Sequence, residues 1–478
     1  MNLDTVLEAQ DFTGIPAFSK DKLCFILNSI AELPSWYKDM VSENGYVSIS
    51  GKTMQKWIGK DYKKYVDLLV NGGVIEYNGS YIVGKKSIGY KYSETYNVGV
   101  KKVLVTDLTL IEKLKQYQWL YNNLEEDEAV DNLATPYKTA VGWYRSGLIK
   151  IDHELANQYN KVAFEYKCQS KNFWDKEVTT GRVHYKNPHT QYRASQISID
   201  KISSGRLNPH HDSNVYRLHS VITQCKRELR HAITINGKEV VAVDISNSQP
   251  TLLTLLIDHK FWDEEGSFNH THIPYLNIRD MFSTRQHYTT FIMMCKNAEH
   301  NSDRQVEIQR FRDLVASGEF YDNFRSLLEQ KLSMTGLSKQ DVKTMFFTVL
   351  FTSNRFISQD EAACKRVFRD WFPYIYELCR MIKVKDHANL PVLLQRVESY
   401  ILFNKIIPRM VSEKPNLPFV PIHDSIAVPV GNEAYTELVM REELARCLGF
   451  APHLKREEWK ADILTEMITA IQNTSVAA

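Results

Sequence analysis

Two aspartates set at the tips of apolar β-forming runs constrain this chain more than any other feature. In KEVVAVDISNSQPTLLTLL, residues 238–256, Val240 to Val243 form an apolar, valine-rich run and Asp244 ends it. Pro250, after a polar turn, opens a leucine-rich helix. In LPFVPIHDSIAVPVG, residues 417–431, two short strands flank a tight turn at His423-Asp424. Either aspartate alone is ordinary, since Asp before a turn commonly caps the next helix. Brought together from neighbouring strands, two such carboxylates can hold hard divalent cations, and that arrangement suits chemistry on phosphate esters.

Between them lies SKQDVKTMFFTVLFTSN, residues 338–354, which reads as a helix with Lys339, Lys343, Phe347 and Phe351 four apart on one face. Two lysines and two rings on one face can meet a ligand that is both anionic and flat. The plainer reading is an amphipathic helix whose Phe stripe faces a core. Upstream are SSGRLNPHH, residues 203–211, with Arg206, and CKRELRHAI with Arg227 and Arg230. Gly181-Arg182 in TTGRVHY competes with Arg206 for one role. Downstream, LLQRVESYILFNKII carries Gln395, and Glu398 on the same helix reads equally as an exposed residue.

In this order the elements resemble the A-family DNA polymerases and the single-subunit phage and mitochondrial RNA polymerases. Asp244 in DISNSQ is similar to their motif A and His423-Asp424-Ser425 to their motif C, and the likeness covers about half the chain, residues 200–430. The resemblance implies an α+β right hand: an antiparallel palm sheet with helical fingers (about 258–375) and thumb. It implies two Mg2+ ions, with Mn2+ able to substitute, on Asp244 and Asp424. Lys343 and His423 join the catalytic set, and Lys339, Lys343, Phe347, Phe351 and Gln249 the nucleotide site. Arg206, Arg227, Arg230 and Gln395 would contact a DNA template and primer.

The pattern also departs from that family. Gln249 stands about where the DNA polymerases carry a glutamate, and Phe351 replaces a tyrosine, so no phenol is available for hydrogen bonding. Ser425 and the Asp244-Ser246-Ser248 run look like the RNA polymerases; the Ser-Gly-Arg-Leu element, Phe347 and Gln395 look like the DNA polymerases. The expectation is DNA synthesis from nucleoside triphosphates, with a phage-type RNA polymerase or primase as the alternative. A replication initiator with an inactive palm, or a metal-dependent nuclease, are the readings from other classes.

The first hundred residues read as a separate unit. A helix over 20–40, a short strand, two helices, and an Asn78-Gly79 hairpin between 74–77 and 80–83 resemble a winged-helix DNA-binding domain. Lys52, Lys56, Lys60, Lys63, Lys64 and Lys85-Lys86 supply its basic face, Lys56 and Lys60 foremost; a helix-turn-helix packing module with a solvated lysine face is the rival. The expected domains are 1–105, a helical thumb-like or connecting region 106–200, and the palm and fingers 201–478, with a connection near 180–200.

Lys and Arg number 59 against 57 Asp and Glu, a formal net charge of +2, so any basic surface is local. The seven cysteines fall in no CxxC or zinc spacing, which points to a reducing cytoplasm. No apolar run reaches the ~18 residues of a membrane span. A cytoplasmic monomer of a phage or mobile element is expected, without a membrane partner. Asp152-His153-Glu154 reads as a helix start rather than part of a proofreading site.

Overall fold

The computed structural model describes residues 8, 14–15, 17–36, 40–79, 87–96, 103–114, 135–179, 182–262 and 268–476. The helix Lys20–Trp36 turns Leu23, Ile26 and Ile30 fully inward. β1 (Val47–Ser48), the helices Gly51–Trp57 and Tyr62–Asn71, β2 (Ile75–Tyr77) and β3 (Gly89–Tyr92) follow. The strands form an antiparallel sheet in the order β1-β3-β2, with Tyr90 opposite both Val47 and Tyr77. Ser50 caps its helix by accepting from the Thr53 N–H. Leu23, Ile26, Met54, Leu69, Ile75 and Tyr90 close an apolar cluster of their own.

The hairpin differs from expectation. Residues 80–86, which include the expected strand 80–83 and Lys85-Lys86, lie outside the described residues, and the partner of β2 is Gly89–Tyr92. Asn78 ties the base of the loop instead of closing a two-residue turn: its Oδ1 accepts from the Gly89 N–H at 3.1 Å.

Residues 188–203, near the expected connection, are a helix, Pro188–Ser203. Asn187 caps it by accepting from the Thr190 N–H, and Pro188 at the first turn costs no hydrogen bond. This helix packs on Lys20–Trp36. Lys201 pairs with Glu32, and the Arg193 guanidinium lies 4.6 Å from the centre of the Tyr92 ring.

A second apolar cluster runs without a break from Tyr137 to Ile468, so residues on both sides of position 200 share it. β4 (Ile149–Ile151) pairs with β9 (Ile233–Ile235), while β5 (Lys176–Thr179) with β6 (Arg182–Tyr185) and β7 (His210–His211) with β8 (Leu218–His219) form two small hairpins. Asp152 caps the helix His153–Gln169, the helix start the sequence indicated. Gly181 lies outside the described residues.

At the centre is a four-stranded antiparallel sheet in the order β11-β12-β10-β13, built from β10 (Val240–Ile245), β11 (Val420–Ile422), β12 (Ser425–Pro429) and β13 (Leu454–Trp459). The helices between Arg285 and Ile382 gather around rings with no exposure at all: Phe311, Phe320, Phe324, Phe346, Phe368 and Phe372. Phe346 touches Phe320 at 4.8 Å between ring centres and Phe368 at 5.5 Å. Phe346→Ala is expected to lower unfolding free energy by about 3–5 kcal/mol in urea titration, because the cavity it leaves is walled by other rings. A loss under ~1 kcal/mol would mean the cluster repacks.

Candidate active site

The sheet register brings the two aspartates together. Asp244 lies opposite Ser425 in β12 and opposite Lys455 in β13. Ile422 pairs with Ser425, leaving His423-Asp424 as a two-residue turn, and Ser425 Oγ closes it by donating to the Ile422 carbonyl at 3.0 Å. The Ile245 N–H donates to the Asp424 carbonyl at 3.3 Å, so Asp424 is anchored beside the end of β10. His423 holds φ at +55°, the left-handed region that a side chain other than Gly rarely takes. Such conformations cluster at functional sites because surrounding structure must enforce them.

The charges around this pair are unequal in burial. The Asp244 carboxyl is pushed up to about 6, by burial first and then by the Asp424 carboxylate, with Lys455 and Lys343 pulling the other way. Lys455 Nζ lies 2.7 Å from Asp244 Oδ2 and is half exposed. Burial pushes the Tyr321 phenol up, and the Asp424 carboxylate adds to it.

Deeper lies Glu398, 3% exposed rather than on the surface as its helix pattern allowed. Its carboxylate accepts from Arg217 Nε at 2.9 Å and Nη2 at 2.6 Å, and from Gln249 Nε2 at 3.4 Å. Burial raises the Glu398 carboxyl to about 7; Arg217 opposes that shift, and Asp424 and Asp244 add to it. Gln249 is itself buried, and its Oε1 has no hydrogen-bond partner among the described residues.

The helix Lys339–Phe351 presents the expected ladder. Ser338 and Asp341 form a capping box at its start, Lys339 and Lys343 are exposed, and Phe347 and Phe351 are half-buried and stacked at 5.0 Å between ring centres. Phe346, one position round, takes the core side that the plainer reading had assigned to the stripe. Lys343 Nζ sits 5.6 Å from the Phe347 ring centre. The His423 ring stands 5.5 Å from that of His219.

The arginines are placed differently from one another. Arg206 is exposed, its Nε donating to Ser204 Oγ. Arg227 is held by both oxygens of Glu457 at 2.9 and 2.6 Å, and Arg230 folds against Trp459 at 5.9 Å. Arg217, which sequence reasoning passed over, is the arginine bound to Glu398 beneath the aspartates. Gln395 is half-buried on the helix Asn389–Ile401, and Lys56 and Lys60 are exposed in the N-terminal unit. Lys455 and His219 were also missed, and Glu398 had been left open as an exposed helix residue. Nothing local marks Lys455, whose place is set by the β10–β13 register.

The donor set fits magnesium. Two neighbouring carboxylates, one of them resisting ionisation through burial first and the other's charge second, are relieved by a hard divalent cation. Among the described residues no group of three or more His, Cys, Asp or Glu forms a complete cage. Magnesium commonly takes one or two carboxylates and leaves remaining positions to water and phosphate oxygens.

For Glu398 the sign of the pH dependence follows from the upward shift. A carboxyl raised from 4.5 to about 7 on folding stabilises most below its unfolded value, and that stabilisation disappears as pH rises through about 7. The stability of the wild type relative to Glu398→Gln is therefore expected to fall between pH 4.5 and 7.5 in urea unfolding. A difference that grows with pH would contradict the burial argument.

No protein-family model and no curated protein matches the chain. Among solved structures it is similar to the POL domain of Pol1 from M. smegmatis, in complex with DNA primer-template and dNTP. That likeness covers 74% of each chain at 12% identity and a TM-score of 0.34, short of a shared fold.

Proposed function

We propose that this chain is a DNA-templated nucleotidyltransferase that extends a 3′-hydroxyl with nucleoside triphosphates. The observation that carries the reading is Asp244 on β10 beside Asp424 in the adjoining β11–β12 turn, with Lys343 of the Lys339–Phe351 helix close enough to favour the ionised Asp244 carboxylate. In this reading the four-stranded sheet is the palm, the helices from about 258 to 375 are the fingers, and the helical stretch before 200 is the thumb. Three helices with a three-stranded antiparallel sheet at the front support a winged helix, with Lys56 and Lys60 on its DNA-facing side.

Asp244 and Asp424 would hold two Mg2+ ions, or Mn2+ in their place, which when bound lower the pKa of the primer hydroxyl and neutralise the triphosphate. Lys339 and Lys343 donate to the triphosphate, and Phe347 and Phe351 offer ring faces to the base. The 3′-oxygen forms a bond to the α-phosphorus, the α–β bridging bond breaks, and pyrophosphate carries away the leaving electron pair. The hydroxyl proton passes to solvent. His423 orients the turn that carries Asp424. Arg206 is the exposed arginine for a backbone phosphate; Arg227 and Arg230 would first have to leave Glu457 and Trp459.

Deoxynucleotides are the proposed substrates. Ribonucleotides are the second reading: Gln249 stands about where the DNA polymerases carry a glutamate, and its side chain is turned into the interior, its Nε2 donating to Glu398. Primer extension with dNTPs and NTPs supplied separately tests both. Extension with dNTPs is expected, lost by at least about a thousandfold in Asp424→Ala and by about ten- to a thousandfold in Lys343→Ala, the scale of removing one stabilising charge. Extension with NTPs alone, or without a primer, would reassign the chain to RNA synthesis. No incorporation by the wild type would overturn the reading.

A further inference from the structure

A second cleft, none of whose residues belongs to the candidate active site, opens where the N-terminal unit meets residues 171–187. It has a volume of ≈ 340 Å³, and Glu43, Tyr46, Lys91, Lys171, Trp174 and Asn187 line it. Rings and ammonium groups alternate there. Lys91 Nζ lies 4.8 Å from the Tyr46 ring centre, and Lys171 Nζ lies 5.9 Å from that of Trp174 and 4.6 Å from that of Tyr185. Lys176 Nζ lies 5.6 Å from the Tyr185 ring centre, and these two residues stand beside the cleft rather than in its lining.

The walls are fixed while the cations are not. Asn187 is held by its cap to Thr190, and Gly45, at φ +79°, lies so close that a Cβ there would stand 3.1 Å from Asn187 Nδ2. Lys171 and Lys91 each pair with a carboxylate, Glu43 at 3.0 Å and Glu76 at 3.1 Å, across partly exposed surfaces. Exposed pairs of this kind contribute little and exchange readily for a better partner.

The chemistry of the lining selects its ligand. A simple anion would use the lysines and leave the three rings without a purpose, whereas an organic cation would be repelled by the lysines. Flat π-faces beside repeated cations match a chain that carries one flat base and one phosphate per unit. A duplex already stacks its bases on each other and leaves no face for these rings. We propose that this cleft binds an unpaired stretch of nucleic acid, with bases on Tyr46, Trp174 and Tyr185 and phosphates taken by Lys91, Lys171 and Lys176. The inference rests on the nucleic-acid part of the proposed function and is independent of the transfer chemistry.

The test is fluorescence anisotropy with the full chain and dye-labelled oligothymidylate or oligouridylate of about ten nucleotides, within the site sizes such grooves cover. Trp174→Ala is expected to weaken single-strand binding by about tenfold, the scale of losing one base-stacking ring, while Trp174→Phe stays within about twofold. Glu43→Gln is expected to tighten it by releasing Lys171. Blunt duplex binding should be the same in all three, and thermal melting should show each of them folded. Unchanged single-strand affinity in Trp174→Ala and Tyr46→Ala, or an equal loss for duplex, would overturn the proposal. Equal losses for the two oligomers support recognition of base and phosphate; a loss for one alone supports the cleft and names its sugar. If the wild type extends no primer yet Trp174→Ala still loses the single strand, the cleft stands and the transfer reading falls.

Discussion

The structure turns on a repulsion that its own sheet enforces. β10 is hydrogen-bonded along both edges, to β12 and β13, so Asp244 cannot move away from the turn that carries Asp424. Two carboxylates held together resist ionising together, which is part of why the Asp244 carboxyl is pushed up to about 6. The surrounding cations fall into two classes. Arg217 is bound from beneath to the buried Glu398 and is committed there. Lys455 and Lys343 reach the pair from exposed positions and can trade it for other anions. Fixed negative charge beside exchangeable positive charge is what the proposed function needs of this site.

How much of this the sequence disclosed depended on the range of the interaction. The strand carrying Asp244, which runs one residue further to Ile245, and the turn at His423-Asp424 were legible because each is written in a continuous apolar run of adjacent residues broken by polar groups. The Lys339, Lys343, Phe347 and Phe351 ladder was legible because the helical period puts those residues on one face. The cap at Asp152 was equally local. Glu398 was not legible: its partners Arg217 and Gln249 are 181 and 149 residues away, and no local pattern distinguishes a buried carboxylate from an exposed one. Lys455 was hidden for the same reason, since only the β10–β13 register sets it opposite Asp244.

Local signals also misled where two of them competed. Asn78-Gly79 is a strong turn pair, yet the Asn78 side chain serves Gly89 and the strand returns later than a two-residue turn requires. Near 188, a proline and a run of polar residues suggested an interruption, although Asn before Pro is equally a helix beginning, and the following residues carry buried Ile199 and Ile202. Arg227 and Arg230 had the right sequence neighbourhood for nucleic acid, but Glu457 and Trp459, more than two hundred residues later, already engage them.

The ends of the Lys339–Phe351 helix explain how its lysines are aimed. Two lysines with almost no exposure, Lys365 and Lys383, lie at its C-terminal end. Lys383 Nζ donates to the Val349 carbonyl at 2.7 Å and the Thr352 carbonyl at 3.3 Å; Lys365 Nζ donates to Thr352 Oγ1 at 3.1 Å and the Ser353 carbonyl at 2.8 Å. Burial pulls their ammonium groups down to about 7 and about 8. That desolvation is offset by bonding carbonyls that the helix leaves unsatisfied, at the negative end of its dipole. The C-terminal end is thereby clamped in the core and the positive N-terminal end projects outward with Lys339 and Lys343. Its dipole and its two lysines act in the same direction, so an anion entering beside Asp244 meets a field set by the fold rather than by two mobile side chains alone.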